Sequence, residues 1–123
     1  MLREVCKAKI HRLTVTEANL DYEGSITIDQ DLLDAAGILP YEKVQVANVS
    51  NGNRLNTYTI SGTRKSGQVC INGAAAHLAK EGDIVLVISY ATLNDDEFKT
   101  FKPKIVFVDE KNRIKTKSKV ISS

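Results

Sequence analysis

The stretch Asp21-Tyr22-Glu23-Gly24-Ser25 contains a Gly-Ser bond at which the backbone itself can become a reactant. A serine hydroxyl beside a peptide carbonyl can move the acyl group from nitrogen to oxygen, and the resulting ester can break by elimination. An ordinary serine does neither, because the amide is stabilised by resonance and the hydroxyl is a weak nucleophile. The reaction needs a backbone at Gly24 that lets the hydroxyl approach the carbonyl carbon, and donors for the oxygen of a tetrahedral intermediate. Polar groups that suit such work recur along the chain: Lys9 and His11, then Arg54, Thr57 and Tyr58, then Asn72-Gly73-Ala74-Ala75. Arg54 carries a planar fork that matches a carboxylate, with Lys9 as a second positive charge. The Asn72–Ala75 segment offers backbone N–H groups at the start of a presumed helix. Read singly, each has a plainer account: solvated surface cations, strand residues, a structural histidine, a turn with its cap.

Elements must position these groups. Cys6, Ala8 and Ile10 alternate with Lys7, Lys9 and His11, a period of two that predicts a strand with Lys9 and His11 on one polar face. Leu13 and Val15 extend it. Residues 19–24 read as a polar connection, and Ile26 and Ile28 resume strand character, which puts Ser25 at a loop-to-strand junction. Asp29 or Asp31 can cap a short helix over Leu32 to Ala36 that Gly37 ends in a left-handed conformation. Asn51-Gly52 predicts a hairpin turn in which both central residues tolerate positive φ, joining a strand at Val44, Val46 and Val49 to one over Leu55 to Ile60. Val69 and Ile71 form a short strand entering the Asn72–Ala75 turn, and Ile84 to Ile88 reads as a strand buried on both faces. Residues 94–97 read as a surface turn, Ile105 to Val108 as the last strand, and the polar stretch from Asp109 onward as a solvated tail. Many short strands and few helices predict a small, mainly β barrel.

The 123 residues, 13.5 kDa, suit a single domain, 1–123. Lys plus Arg exceed Asp plus Glu by 17 to 15, a balance too mild to imply nucleic acid, and Tyr22, Tyr41, Tyr58 and Tyr90 are scattered rather than spaced as a stacking platform. Cys6 and Cys70, and His11 and His77, lack the spacing of a metal site, so no metal is expected and the thiols read as reduced. No secretory signal is evident, and the Ile84–Ile88 run is far below the ~20 apolar residues of a spanning helix. A soluble cytoplasmic protein without a membrane partner is the expectation.

Taken in order, several blocks together carry a specific resemblance: Lys9-Ile10-His11-Arg12, Asp21-Tyr22-Glu23-Gly24-Ser25, the run from Ile28 to Ile38, Asn51-Gly52-Asn53-Arg54, Thr57-Tyr58, Asn72-Gly73-Ala74-Ala75-Ala76-His77 and Gly82-Asp83. The chain resembles the pyruvoyl-dependent aspartate decarboxylases over most of its length up to about Ile88. The resemblance implies a double-psi β-barrel with short helices, assembled as a homotetramer with active sites between neighbouring subunits. It also implies self-cleavage at Gly24-Ser25 into 1–24 and 25–123, leaving Ser25 as a pyruvoyl cofactor that forms a Schiff base with L-aspartate. Thr57 and Asn72 would assist cleavage, with His11 and Tyr22 as further processing residues. Tyr58 would donate the proton, and Lys9, Arg54, Thr57, Gly73, Ala74 and Ala75 would bind substrate. The products would be carbon dioxide and β-alanine for pantothenate synthesis. The alternative is a small β-barrel module that binds nucleic acid or regulates, without catalysis.

Overall fold

The computed structural model of the chain describes residues 1–115 and the backbone of 119–120. Its strands are β1 (Arg3–Thr14), β2 (Glu17–Asn19), β3 (Ser25–Asp29), β4 (Lys43–Asn48), β5 (Arg54–Gly62), β6 (Val69–Asn72), β7 (Ile84–Leu93), β8 (Lys104–Phe107) and β9 (Lys119–Val120), in the order β2-β6-β3-β5-β4-β7-β1-β8-β9. Helix α1 (Gln30–Ala36) follows β3, a 3-10 turn (Gly73–His77) follows β6, and α2 (Asp95–Thr100) follows β7. None of the described helices is long and apolar enough to cross a membrane.

β1 and β2 are one run of chain, joined by Val15 and Thr16, whose N–H groups donate to the carbonyls of Asp83 and Val69. The ladder that leaves β2 through β6 comes back through β7 to β1, so the strands wrap into a barrel. Its topology has an internal two-fold. Exchanging the β1–β2 run, β3 and β4 for β5, β6 and β7 reproduces the same neighbours, and the parallel pair β2–β6 exchanges with the parallel pair β3–β5. Two interlocked halves of this kind make the expected double-psi β-barrel, mainly β with short helices. Inside it pack Ile10, Leu13, Ile26, Ile28, Val44, Val46, Val69, Ile71, Val85 and Val87. Each such side chain contributes about 1.5–3 kcal/mol on leaving water.

Local expectations hold in part. Asp29 is the cap of α1, and Gly37 ends the helix at φ +68° with its N–H on Asp34 and Leu33 carbonyls. The alternation of β1 does not run unbroken to Val15: Arg12 adopts φ +66° and the register slips between Ile10 and Leu13, which lets both apolar side chains face inward. In the β4–β5 turn Gly52 alone takes positive φ, because the connection is longer than a two-residue turn. β7 is not buried on both faces. Val85, Val87 and Ser89 point into the barrel while Ile84, Leu86 and Ile88 are half-buried on its outer wall. Residues 94–97 open a helix instead of a turn, since Asn94 and Glu97 form a reciprocal capping box. The stretch after Asp109 is anchored at first: buried Asn112 exchanges hydrogen bonds with the Thr14 backbone and donates to Gly67 O at 2.8 Å. The expected solvated tail otherwise reaches residues 116–118 and 121–123, outside the described ones.

Candidate active site

Ser25 opens β3 directly opposite Asn72, the last residue of β6. Alternation along both strands turns these side chains away from Ile26 and Ile71, yet Ser25 is only 2% and Asn72 only 4% exposed, so their partners are protein atoms. Asn72 Nδ2 donates to Ser25 Oγ at 2.9 Å and to Thr27 Oγ1 at 3.1 Å. Asn72 Oδ1 accepts from Cys70 Sγ at 3.1 Å. Burial pushes the Cys70 thiol up to about 11, and the charge and hydrogen bond of Glu17, its partner in the β2–β6 pair, push the same way. The thiol therefore stays protonated at neutral pH.

The glycine demanded by close packing is Gly73, and Gly24 needs no such conformation. Gly73 has φ +71°, and a Cβ there would stand 2.7 Å from Gly24 N and 2.8 Å from Gly24 Cα and Tyr22 O. Its bare Cα lets the end of β6 press against the loop that carries the Gly-Ser bond. Gly24 lies outside the left-handed region, and a Cβ on it would meet nothing within 4 Å. Tyr22 projects its side chain into solvent. Ala74 and Ala75 belong to a 3-10 turn of 5 residues, Gly73–His77, where the sequence predicts a helix start.

The parallel β3–β5 ladder begins with Ile26 opposite Thr59. One step back sets Tyr58 beside Ser25, and half-buried Thr57 precedes Tyr58 on β5. No side-chain hydrogen bond joins either to Ser25 among the described residues. The remaining candidates lie elsewhere. Lys9 sits on β1 opposite Ile88 and Ile105, four strand steps from β3 through β5, β4 and β7, or about 19 Å along that wall at ~4.8 Å per step. His11 meets Phe107 edge-on at 5.4 Å between ring centroids, and its Nδ1 is buried without a hydrogen-bond partner. Burial first, then the charges of Lys9 and Arg12, lower the His11 pKa, so the ring is neutral at pH 7. Arg54 lies about 13 Å along β5 from Tyr58 at ~3.3 Å per residue, and its Nη1 donates to Gln45 Oε1 at 3.1 Å. Tyr90 OH donates to the same oxygen at 3.2 Å, beside an outer-wall cavity of ≈ 410 Å³.

One chain thus gathers Gly24, Ser25, Asn72 and Gly73, with Thr57 and Tyr58 alongside, and holds Lys9, His11 and Arg54 apart. Sequence reasoning missed Thr27 and Cys70. Their signal was the two-residue spacing that puts Thr27 on the face of Ser25 and Cys70 on the face of Asn72.

The profile described as aspartate decarboxylase matches residues 1–115. The chain belongs to the aspartate decarboxylase family. It is 65% identical over 106 residues to the aspartate 1-decarboxylase of Campylobacter jejuni, covering 86% of this chain and 83% of that protein. Identity to the aspartate 1-decarboxylase of Thermoanaerobacter pseudethanolicus is 58% over 113 residues, 92% of this chain and 97% of that one. That of Acetivibrio thermocellus is 60% identical over 114 residues, 93% of this chain and 90% of its own. Membership in this family of enzymes sets aside the alternative of a binding module without catalysis. The match ends at Lys115, so it covers the barrel and Asn112 as well as the blocks that carried the resemblance.

Proposed function

We propose that this protein decarboxylates L-aspartate to β-alanine and carbon dioxide, using a pyruvoyl group that it makes from Ser25 by cleaving its own Gly24-Ser25 bond. The observation that carries the reading is the buried Ser25 hydroxyl, held by the Asn72 amide at the junction between an exposed loop and a barrel strand. Ser25 Oγ adds to the Gly24 carbonyl carbon and the C–N bond breaks, giving an ester and a free Ser25 amine. Loss of the Ser25 α-proton then expels Gly24 as a carboxylate. The dehydroalanine left at position 25 takes up water and releases ammonia. Chains 1–24 and 25–123 result. In the uncleaved chain the Asn72 amide faces the hydroxyl rather than the Gly24 carbonyl, so its first service is to the nucleophile, with Thr57, next to Tyr58 on β5, as the candidate donor to the carbonyl oxygen.

The residues present suit a pyruvoyl group at position 25: Asn72 Nδ2 stands ready to donate to an oxygen there, and Gly73 brings no side chain into the space. Such a group supplies an electron sink when carbon dioxide leaves. Tyr58, beside Ser25 in register, is the proton donor of this reading. Arg54 and Lys9 bind the carboxylate that stays, since a cation on the departing one would oppose loss of its charge. Both lie away from Ser25 of their own chain, and β7 turns Ile84, Leu86 and Ile88 outward. These two facts support sites completed by a neighbouring subunit, in the homotetramer of this reading. Action in the cytoplasm, feeding pantothenate synthesis, completes the reading.

Intact mass and denaturing electrophoresis test it. The expected result is two fragments, the larger lighter by the mass of ammonia than a serine-started chain, and β-alanine formed from aspartate. Ser25→Ala is expected to stay whole and inactive. Decarboxylation by that variant would exclude a pyruvoyl mechanism.

A further inference from the structure

We propose that Cys70 is a positioning residue for cleavage at Gly24-Ser25: its thiol hydrogen holds the Asn72 amide in the orientation that turns N–H toward the Ser25 hydroxyl. This rests on the self-cleavage reading above and adds a residue to it. The β3–β6 register sets Ser25 opposite Asn72 and half-buried Thr27 opposite Cys70, so the four side chains form one patch on the same face of two strands, with Ser25, Cys70 and Asn72 buried in it. Within it the bonds run from Cys70 Sγ to Asn72 Oδ1, and from Asn72 Nδ2 to both hydroxyls.

A side-chain amide is nearly symmetric in shape, and its neighbours decide which end faces where. Ser25 and Thr27 do not decide, because a hydroxyl donates or accepts equally well. The thiol does. As a protonated group it offers a hydrogen to Oδ1, whereas the flipped amide would have to donate to sulfur, a weak acceptor. Burial keeps the sulfur protonated, and the Glu17 carboxylate across the strand pair, although it competes for the same hydrogen, does so too. The orientation matters for chemistry. An N–H donated to Ser25 Oγ favours negative charge on that oxygen and leaves its own hydrogen free to depart, while an amide oxygen facing it would favour the neutral hydroxyl.

The test is the rate of self-cleavage of freshly purified full-length precursor, followed by electrophoresis. Cys70→Ala and Cys70→Val, which remove the donor with and without loss of volume, are expected to slow cleavage roughly three- to tenfold, the scale of one net hydrogen bond. Cys70→Ser, which restores a donor of similar size, is expected to cleave near the original rate. In an Asn72→Ala background the Cys70 substitutions should add nothing, because the thiol acts through that amide. Melting temperatures of the same variants carrying Ser25→Ala report on folding separately. Alanine and valine variants as fast as the unmodified chain would overturn the inference, as would a serine variant as slow as alanine, or additive slowing in the Asn72→Ala background. An unmodified chain that never cleaves removes the self-cleavage reading and this inference together. One that cleaves, with rates indifferent to residue 70, removes this inference alone.

Discussion

Asp29 and Asn72 occupy the same place in the two halves of the barrel, ending β3 and β6 just before a helical segment, and they do opposite things. Asp29 gives its carboxylate to backbone: Oδ1 accepts from Asp31 N at 2.8 Å and Lys65 N at 3.2 Å, and Oδ2 from Gly67 N at 2.9 Å. Its helix is regular and ends cleanly at Gly37. Asn72 makes no capping bond, and the segment it precedes is a 3-10 turn. That turn is held from its far end, where Leu78 O accepts from Asn48 Nδ2 at 3.0 Å and from Asn51 Nδ2 at 3.1 Å. A carboxylate only accepts, so it suits the orphan N–H groups of a helix start; an amide also donates, and here both donors go to hydroxyls. With its helix braced elsewhere, Asn72 is free to serve Ser25.

The comparison breaks most sharply at Asn72. Asn72→Asp copies the residue of the other half and replaces the donor with a carboxylate that opposes negative charge on Ser25 Oγ, and is expected to slow self-cleavage by about 10- to 100-fold, the scale of a hydrogen bond to a charged group. A time course of the precursor band checks this, and cleavage at the original rate would end the donor assignment. Gly73→Ala comes next, because its Cβ would meet Gly24 backbone at 2.7 Å. It is expected to slow cleavage about tenfold or more and to lower the melting temperature, given a strained positive φ of roughly 1–2 kcal/mol. The equivalent change in the other half, Gln30→Ala, should leave both readings nearly unchanged, since the side-chain hydrogen bond of Gln30 among the described residues is the exposed one to Asp34 Oδ1.

Asp29→Ala should do the reverse of Asn72→Asp. Loss of the cap and of the loop bonds is expected to cost about 2–3 kcal/mol in urea unfolding of the Ser25→Ala precursor. The cleavage rate of an otherwise unmodified chain should hardly move; a large fall there would show the two halves to be coupled. The smallest effect concerns the brace. Asn48 first, then the Lys80 N–H, lower the Asp83 pKa below the ordinary aspartate value. A depressed carboxylate stabilises the fold above its unfolded pKa and loses that contribution as pH falls through the folded one. Stability should therefore decline below about pH 4, and Asp83→Asn should flatten that part of the profile while being less stable at pH 7. An identical acid slope in both proteins would sink the assignment.

Much of this was legible because it is local. Period-two alternation gave the strands around Ile10, Ile28 and Val69, the Asp29 and Gly37 pair gave α1, and the ordered blocks around Gly24-Ser25, Arg54 and Asn72-Gly73 gave the family. The failures share a cause. The bulge at Arg12, the outward face of β7 and the burial of Asn112 each depend on a partner far along the chain, and no local pattern announces it. The capping box at Asn94 is different, since its two residues were in plain view and a cluster of acidic residues disguised them as a turn.

The sequence by itself determined that a Gly-Ser bond sits at the mouth of a strand, in a chain of the aspartate decarboxylase family. Only the tertiary structure decided that Ser25 meets an amide 47 residues away, that a thiol backs that amide, and that Lys9 and Arg54 stay apart from both. Those meetings follow from strand register, and register is fixed by burying the whole set of inward side chains at once; a slip of one residue would turn every one of them to the other face.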